Sequence, residues 1–333
     1  MLREHPIWGR KTAVFTLQWH LTNACEGYCA HCYDRADISA LPTTTCLRLL
    51  DDFLAFCRQH DIRGQISLSG GNPLLHPGFW ELYTAIAGTK VPVSLLGNPL
   101  DAPTLERLLA IARPAYYQVS LEGLPATNDA IRGAGHFART LDFLRLAKAQ
   151  RLTTHVMLTL QQANLAEVIP LGIQLASLTR KFTFNRLAQV GEAHDVAIPS
   201  PADYADFLRA YLDAAGAHPV FGLKDNLLNI LRHQRRDPHF AGCTGHGCGA
   251  AFNFVAVLPD GEVHACRKFP SPLGRLPEQS LAEIYHSPLA QRYRQGPRAC
   301  RRCPLRAHCR GCMAVTYGHG GDPFIDRDPQ CFR

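Results

Sequence analysis

The chain lacks any apolar run long enough to span a bilayer, and its opening residues, MLREHPIWGRKTAVF, lack an apolar stretch behind the basic ones. A transmembrane helix needs about 20 apolar residues and a secretory signal needs an apolar core, so neither is expected and the protein reads as soluble and cytoplasmic. The last third is poor in apolar residues and in helical or strand periodicity, too poor to build much core of its own. The stretch LTNACEGYCAHCYD at 21–34 holds three cysteines and no fourth. A structural zinc site asks for four ligands and disulfides ask for pairs, so C-x3-C-x2-C is incomplete as either.

What is present points to metal or redox chemistry. The 333 residues suffice for one large or two ordinary domains. Thirteen cysteines is a high count, and in a reducing compartment such clustering favours metal or redox sites over a disulfide framework. Cys25, Cys29 and Cys32 lie near the start, and Cys243, Cys248, Cys266, Cys300, Cys303, Cys309, Cys312 and Cys331 fall in the last third. Cys46 and Cys57 stand apart in TCLRLLDDFLAFCRQ, an apolar-periodic helix, where they read as small buried hydrophobes.

From residue 14 to about 186, β-rich runs alternate with helical patterns. Strands are expected at 14–21, 65–70, 91–98, 116–123, 154–160 and 181–187, with helices at 43–60, 77–88, 102–112, 136–150 and 164–177 between them. That alternation argues for a parallel sheet with crossover helices, either a barrel or a doubly wound sheet, with the active site where strands end and loops begin. Residues 201–218 and 224–236 read as helices bridging to the cysteine-rich end, where AFNFVAVLPDGEVHAC reads as a hairpin around Pro259, Asp260 and Gly261. The expected division is a tail (1–13), an α/β domain (14–200), a helical bridge (201–240) and a cysteine-rich domain (241–333).

Cys25, Cys29 and Cys32 follow the first strand directly. Three thiolates can hold a four-iron cubane while leaving one iron open for a small ligand, and the competing reading is a zinc site completed by His31. In this motif the chain resembles the radical S-adenosylmethionine (SAM) superfamily. The resemblance implies a partial (β/α)6 TIM-like barrel whose three-cysteine [4Fe-4S] cluster binds SAM.

Further motifs follow in the same order. SLSGGNPLLHP (67–77) is similar to the family's glycine motif, usually G-G-E-P, which receives the amino group of SAM's methionine part. The resemblance makes Gly70, Gly71, Asn72 and Pro73 cofactor-binding residues, with an amide oxygen at Asn72 in place of a carboxylate. VSLLGNP (93–99) stands where the family often has T-N-G and makes Asn98 a lining residue, although the same residue can simply form a turn. YYQVSLEGLPATNDAIRG (116–133) resembles the fourth-strand segment, with Glu122 replacing the usual Asp. It implies that Ser120 touches SAM's ribose or carboxylate side and that Arg132, with Arg139 as competitor, meets the carboxylate. FNRLAQVGEA (184–193) resembles a stretch beside the adenine.

At the C-terminus the pattern C243-x4-C248-x12-G261-x4-C266, C300-x2-C303-x5-C309-x2-C312, then x18 to C331 resembles the SPASM extension of radical SAM enzymes. The resemblance implies two auxiliary [4Fe-4S] clusters, Cys243, Cys248, Cys266 and Cys312 holding the first and Cys300, Cys303, Cys309 and Cys331 the second. The family usually has three residues before the last cysteine of the 300–312 block. Here only Arg310 and Gly311 intervene, which leaves the partition of Cys309 and Cys312 open. The competing structural reading is a pair of zinc sites. The formal charge of +7 counts cysteines as neutral. Three such clusters would add about −5, so the basic excess is mostly compensation for clusters. A nucleic-acid surface is not expected, because aromatic residues are sparse among the C-terminal arginines.

The resemblance implies an enzyme that reductively cleaves SAM to a 5′-deoxyadenosyl radical and abstracts hydrogen from a peptide or protein substrate, forming a cross-link or other oxidative modification. An electron donor such as flavodoxin or ferredoxin is the implied partner. No separate leader-binding domain is expected ahead of the first strand. Arg267 follows Cys266 where the sulfatase-maturing branch has a catalytic Asp, which argues against that branch. Two alternatives stand beside this reading: radical tailoring of a small molecule such as a tetrapyrrole or redox cofactor, and a non-enzymatic zinc-stapled binding module. No residue is singled out as catalytic acid or base.

Overall fold

Along VFTLQWHLT the burial pattern alternates at first and then closes to four consecutive buried residues, as happens when both faces of a strand become covered. This is β1 (Val14–Thr22) in a computed structural model, which describes residues 14–239 and 247–333. It is followed by α1 (Thr43–Gln59), β2 (Arg63–Gly70), α2 (Phe79–Gly88), β3 (Val93–Leu96), α3 (Ala102–Ile111) and β4 (Tyr117–Ser120). Then come α4 (Pro125–Arg132), α5 (His136–Ala149), β5 (Thr154–Leu160), α6 (Val168–Gln174), β6 (Lys181–Arg186), α7 (Pro201–Ala217) and α8 (Leu228–Arg235). The last elements are β7 (Phe254–Val257), β8 (Glu262–His264), β9 (Pro272–Arg275), α9 (Leu281–His286), α10 (Pro288–Gln295) and α11 (Met313–Gly318). The class is α/β with parallel strands, as the alternation and the family resemblance implied. Among the described residues no helix is long and apolar enough to cross a membrane.

The chain forms two compact units that interleave in sequence. One takes the described residues up to Glu26, Ala36–Tyr117 and Ala250–Arg294; the other takes Gly27–Arg35, Gln118–Gly249 and Gln295–Arg333. In the first unit, β1 pairs parallel with β2, Leu17 opposite Ile66, and β2 with β3, Leu68 opposite Leu95. The crossover helix α1 buries Cys46, Leu49, Leu50, Phe53, Phe56 and Cys57, so the two isolated cysteines are core residues as expected. Burial pushes their thiols up to about 11 for Cys46 and about 12 for Cys57.

The expected hairpin forms, β7 and β8 pairing antiparallel through Val257 and Val263. Its placement was not legible: β7 lies parallel to β1, with Leu17 opposite Val255, and extends the first unit's sheet. The expectation of little helix and little core near the C-terminus is corrected. Helices α9, α10 and α11 form, and Phe252, Val255, Val257, Leu281, Ile284 and Tyr285 are all buried. Their few apolar positions are diluted by Arg, Gln and Pro, which hides the period, yet each is large and fully used.

In the second unit β5 pairs parallel with β6, Val156 opposite Phe182, and Leu121 just past β4 donates to the Met157 carbonyl at 3.2 Å. Helix α7 packs on β6 through Phe184 and Tyr211, whose ring centroids are 4.8 Å apart. Part of the span read as a single helix over 164–177 is a 3-10 turn, Gln162–Glu167, leading into α6.

Candidate active site

The first unit gathers its polar side chains where β1, β2 and β3 end. Gly70 closes β2 at φ +135°, a conformation side-chained residues rarely adopt. A Cβ on Gly71 would run into the Ala24 carbonyl oxygen and come within 2.6 Å of the Asn23 oxygen. The two glycines let the loop close on residues 22–24, with Gly71 N–H donating to the Thr22 oxygen at 2.8 Å and Asn72 N–H to the Ala24 oxygen at 2.7 Å. The glycine motif is thereby bonded to the segment leading into Cys25. The buried Pro73 begins a 3-10 turn that Asn72 caps.

Asn72 and Asn98, both predicted from sequence, meet at a residue that sequence reasoning missed. Asn72 Nδ2 donates to Glu26 Oε1 at 2.8 Å, and Asn98 Nδ2 donates to Glu26 Oε2 at 2.7 Å. The same Asn98 nitrogen lies 3.5 Å from Cys25 Sγ, and Asn98 is fixed by the buried Tyr117, whose hydroxyl donates to its carbonyl at 2.7 Å. Glu26 adjoins Cys25 in sequence, and an acid there together with the missing acid at position 72 was the signal available. Arg267 was also missed as a site residue. Its Nη1 lies 3.0 Å from Ser69 Oγ and 3.2 Å from His20 Nε2, beside the ends of β2 and β1. Burial, then the Arg267 charge, lowers the His20 pKa well below the usual value, so the ring is neutral and accepts from Arg267.

The second unit holds Cys29 and Cys32. Arg132, at the end of α4, donates from Nε and Nη2 to Glu122 Oε1 at 2.9 and 2.5 Å, while its Nη1 lies 3.7 Å from Cys29 Sγ. Glu122 is fully buried, and its other oxygen accepts from Thr159 N–H at 2.6 Å. Burial would raise its carboxyl, but Arg132 and then His31 outweigh that and hold it at about 2. His31 Nε2 stands 3.4 Å from Glu122 Oε1. Arg139 instead donates to the Ala134 carbonyl from an exposed position, and Ser120 is half-buried at the end of β4.

The C-terminal cysteines divide. Cys300, Cys303, Cys309 and Cys331 line one cavity of about 240 Å³ in the second unit, together with Arg302, Arg306, Arg310, Arg327 and Arg333. Burial and the neighbouring Cys303 and Cys331 thiols raise the pKa of Cys300. Arg333 Nη1 stands 3.7 Å from Cys303 Sγ. The tail carrying Cys331 is held by a buried brace: Arg186 grips Asp328 with Nη1 and Nη2 at 2.8 and 2.7 Å and Asp225 with Nε at 2.7 Å. Asp328 also accepts from Cys312 N–H at 2.7 Å. Cys248 donates through its N–H to the Cys309 carbonyl at 3.2 Å. Cys266 belongs to the first unit, and Cys243 lies outside the described residues.

The donor chemistry fits iron-sulfur clusters. Among the described residues no cysteine is joined in a disulfide. Among the described residues no three His, Cys, Asp or Glu side chains converge on a single metal ion; a cubane asks instead that each thiolate reach its own iron. N–H donors near Cys25, Cys29 and Cys303 are of the kind that tune cluster sulfurs.

Residues 19–171 match the family model of the radical SAM superfamily, and residues 248–313 match that of SPASM, an iron-sulfur cluster-binding domain. The chain is similar to the antilisterial bacteriocin subtilosin biosynthesis protein AlbA of Bacillus subtilis, 26% identical over 88% of this chain and 66% of that protein. It is also similar to the mycofactocin maturase MftC of Mycobacterium ulcerans, 27% identical over 96% of this chain and 88% of that one. In fold it is similar to Streptococcus suis SuiB, crystallised with S-adenosylmethionine, at a TM-score of 0.75 and 17% identity over 97% of this chain and 78% of SuiB.

Proposed function

Because the chain belongs to the radical SAM superfamily and carries a SPASM domain, we propose that it is a peptide-modifying enzyme, using SAM to form a cross-link or other oxidative change in a ribosomally made peptide. The observation that carries this reading is the joint presence, in one chain, of a three-cysteine loop directly after β1 and a four-thiol cavity near the C-terminus. When bound, the reduced cluster and SAM together supply a 5′-deoxyadenosyl radical that can take a hydrogen atom from a substrate.

The chain's own residues hold, tune and insulate these groups. Cys25, Cys29 and Cys32 would be the thiolate ligands of the SAM cluster. Asn98 beside Cys25 and Arg132 beside Cys29 would withdraw electron density from their sulfurs and raise the potential. Gly70, Gly71 and Pro73 set the glycine loop against the cysteine loop, and Ser120, at the end of β4, would touch SAM's ribose or carboxylate side. Arg132, or in its place Arg139, would meet the SAM carboxylate.

Cys300, Cys303, Cys309 and Cys331 would hold an auxiliary cluster entirely with protein ligands, which suits electron transfer better than substrate binding. The surrounding arginines offset its charge. Cys243, Cys248, Cys266 and Cys312 would hold the other. The names of AlbA and MftC support a peptide substrate. A reduced flavodoxin or ferredoxin in the cytoplasm would supply the electron.

Anaerobic incubation with SAM, a reductant and a precursor peptide encoded beside the gene tests the substrate class. The expected result is 5′-deoxyadenosine formed in step with a peptide that has lost hydrogen. Cleavage of SAM with every such peptide unchanged, and with a small-molecule acceptor altered instead, would overturn it.

A further inference from the structure

The structure assigns an acid to the site that the glycine motif leaves without one. Asn72 can offer a ligand's ammonium only the second lone pair of a neutral amide oxygen, because Oδ1 already accepts from Leu74 N–H at 3.2 Å while Nδ2 donates to Glu26 at 2.8 Å. A donor on one side and an acceptor on the other fix the amide's orientation. The carboxylate of Glu26 is placed differently. Asn72 occupies one lone pair of Oε1 and Asn98 one of Oε2, out of about four that a carboxylate presents.

Glu26 is exposed, and among the described residues it forms no ion pair. Two neutral amides thus orient a full negative charge without cancelling it. Asn98 ties that charge to the Cys25 sulfur by sharing one nitrogen between them. A carboxylate held in this way beside the Cys25 sulfur is complementary to a compact cation with several N–H donors, and a primary ammonium is that group.

We infer that Glu26 receives the α-ammonium of SAM's methionine moiety, with Asn72 and Asn98 as the positioning residues that hold it. Position 72 carries the amide, and position 26, 46 residues earlier in the sequence, carries the acid. The inference rests on the SAM-dependent reading above.

The test is anaerobic equilibrium dialysis of the cluster-loaded protein with SAM and with its deamino analogue, alongside iron analysis. E26Q is expected to weaken SAM at least ten-fold while changing affinity for the deamino analogue less than two-fold, with iron content as in the unsubstituted protein. Unchanged SAM affinity in E26Q would overturn the assignment. So would equal weakening of both ligands, since Glu26 would then be only a brace between the two amides. If the unsubstituted, iron-loaded protein binds no SAM, the functional reading fails along with it, which separates that failure from one confined to Glu26.

Discussion

Arg132 is bonded to a fully buried carboxylate, that of Glu122, through Nε at 2.9 Å and Nη2 at 2.5 Å. Removing one partner of such a pair leaves an uncompensated charge, whereas removing both does not. R132M is therefore expected to cost about 3–5 kcal/mol in anaerobic unfolding, and E122M/R132M is expected to recover much of it. Equal loss in the single and double variants would mean the pair is not what stabilises this part of the second unit.

Gly71 faces the Ala24 carbonyl so closely that an added methyl must displace backbone. G71A is expected to lose about 1–3 kcal/mol of stability. It should also weaken SAM binding, because the glycine loop and the Cys25 segment share two backbone hydrogen bonds. A G71A protein with unchanged unfolding and SAM affinity would show that this close approach is dispensable.

The four-thiol cavity gives a prediction separable from SAM chemistry. C303A is expected to lower bound iron by about one four-iron cluster while leaving uncoupled SAM cleavage near its original rate. Loss of iron accompanied by equal loss of SAM cleavage would refute the proposed division of labour.

Cys46 and Cys57 provide a contrast within α1. Their thiols, raised by burial to about 11 and about 12, stay protonated far above neutral pH. Iodoacetamide at pH 8 should leave both unmodified in the folded protein and alkylate both in denaturant, read by peptide mass mapping. Rapid modification in the folded state would place them outside the core.

What was legible in the sequence was local. Strand and helix periods showed the alternation, and cysteine spacing marked Cys25, Cys29 and Cys32 without help from the fold. The resemblance to the SPASM extension implied a group of Cys300, Cys303, Cys309 and Cys331, with Cys309 and Cys312 left open, and those four line one cavity. What stayed hidden depended on distance along the chain. Glu26 acquires its role only when Asn72 and Asn98 arrive from the ends of two later strands. Arg267 reaches Ser69 across 198 residues. The pairing of β7 with β1 has no local signal, since a hairpin's residues do not say which strand edge they will cover. Asn72 shows the limit of carrying a motif over by position. The residue sits where expected, but its amide faces a neighbour that no motif names.

An iron-sulfur cluster at Cys25, Cys29 and Cys32 is proposed to cleave SAM in this chain. The most direct measurement is anaerobic purification followed by dithionite reduction with SAM, reading iron, acid-labile sulfide, methionine and 5′-deoxyadenosine together. Bound iron and sulfide and equal amounts of methionine and 5′-deoxyadenosine are expected, with the nucleoside product abolished in C25A, C29A and C32A. Bound zinc without iron, and SAM recovered intact after reduction, would contradict it.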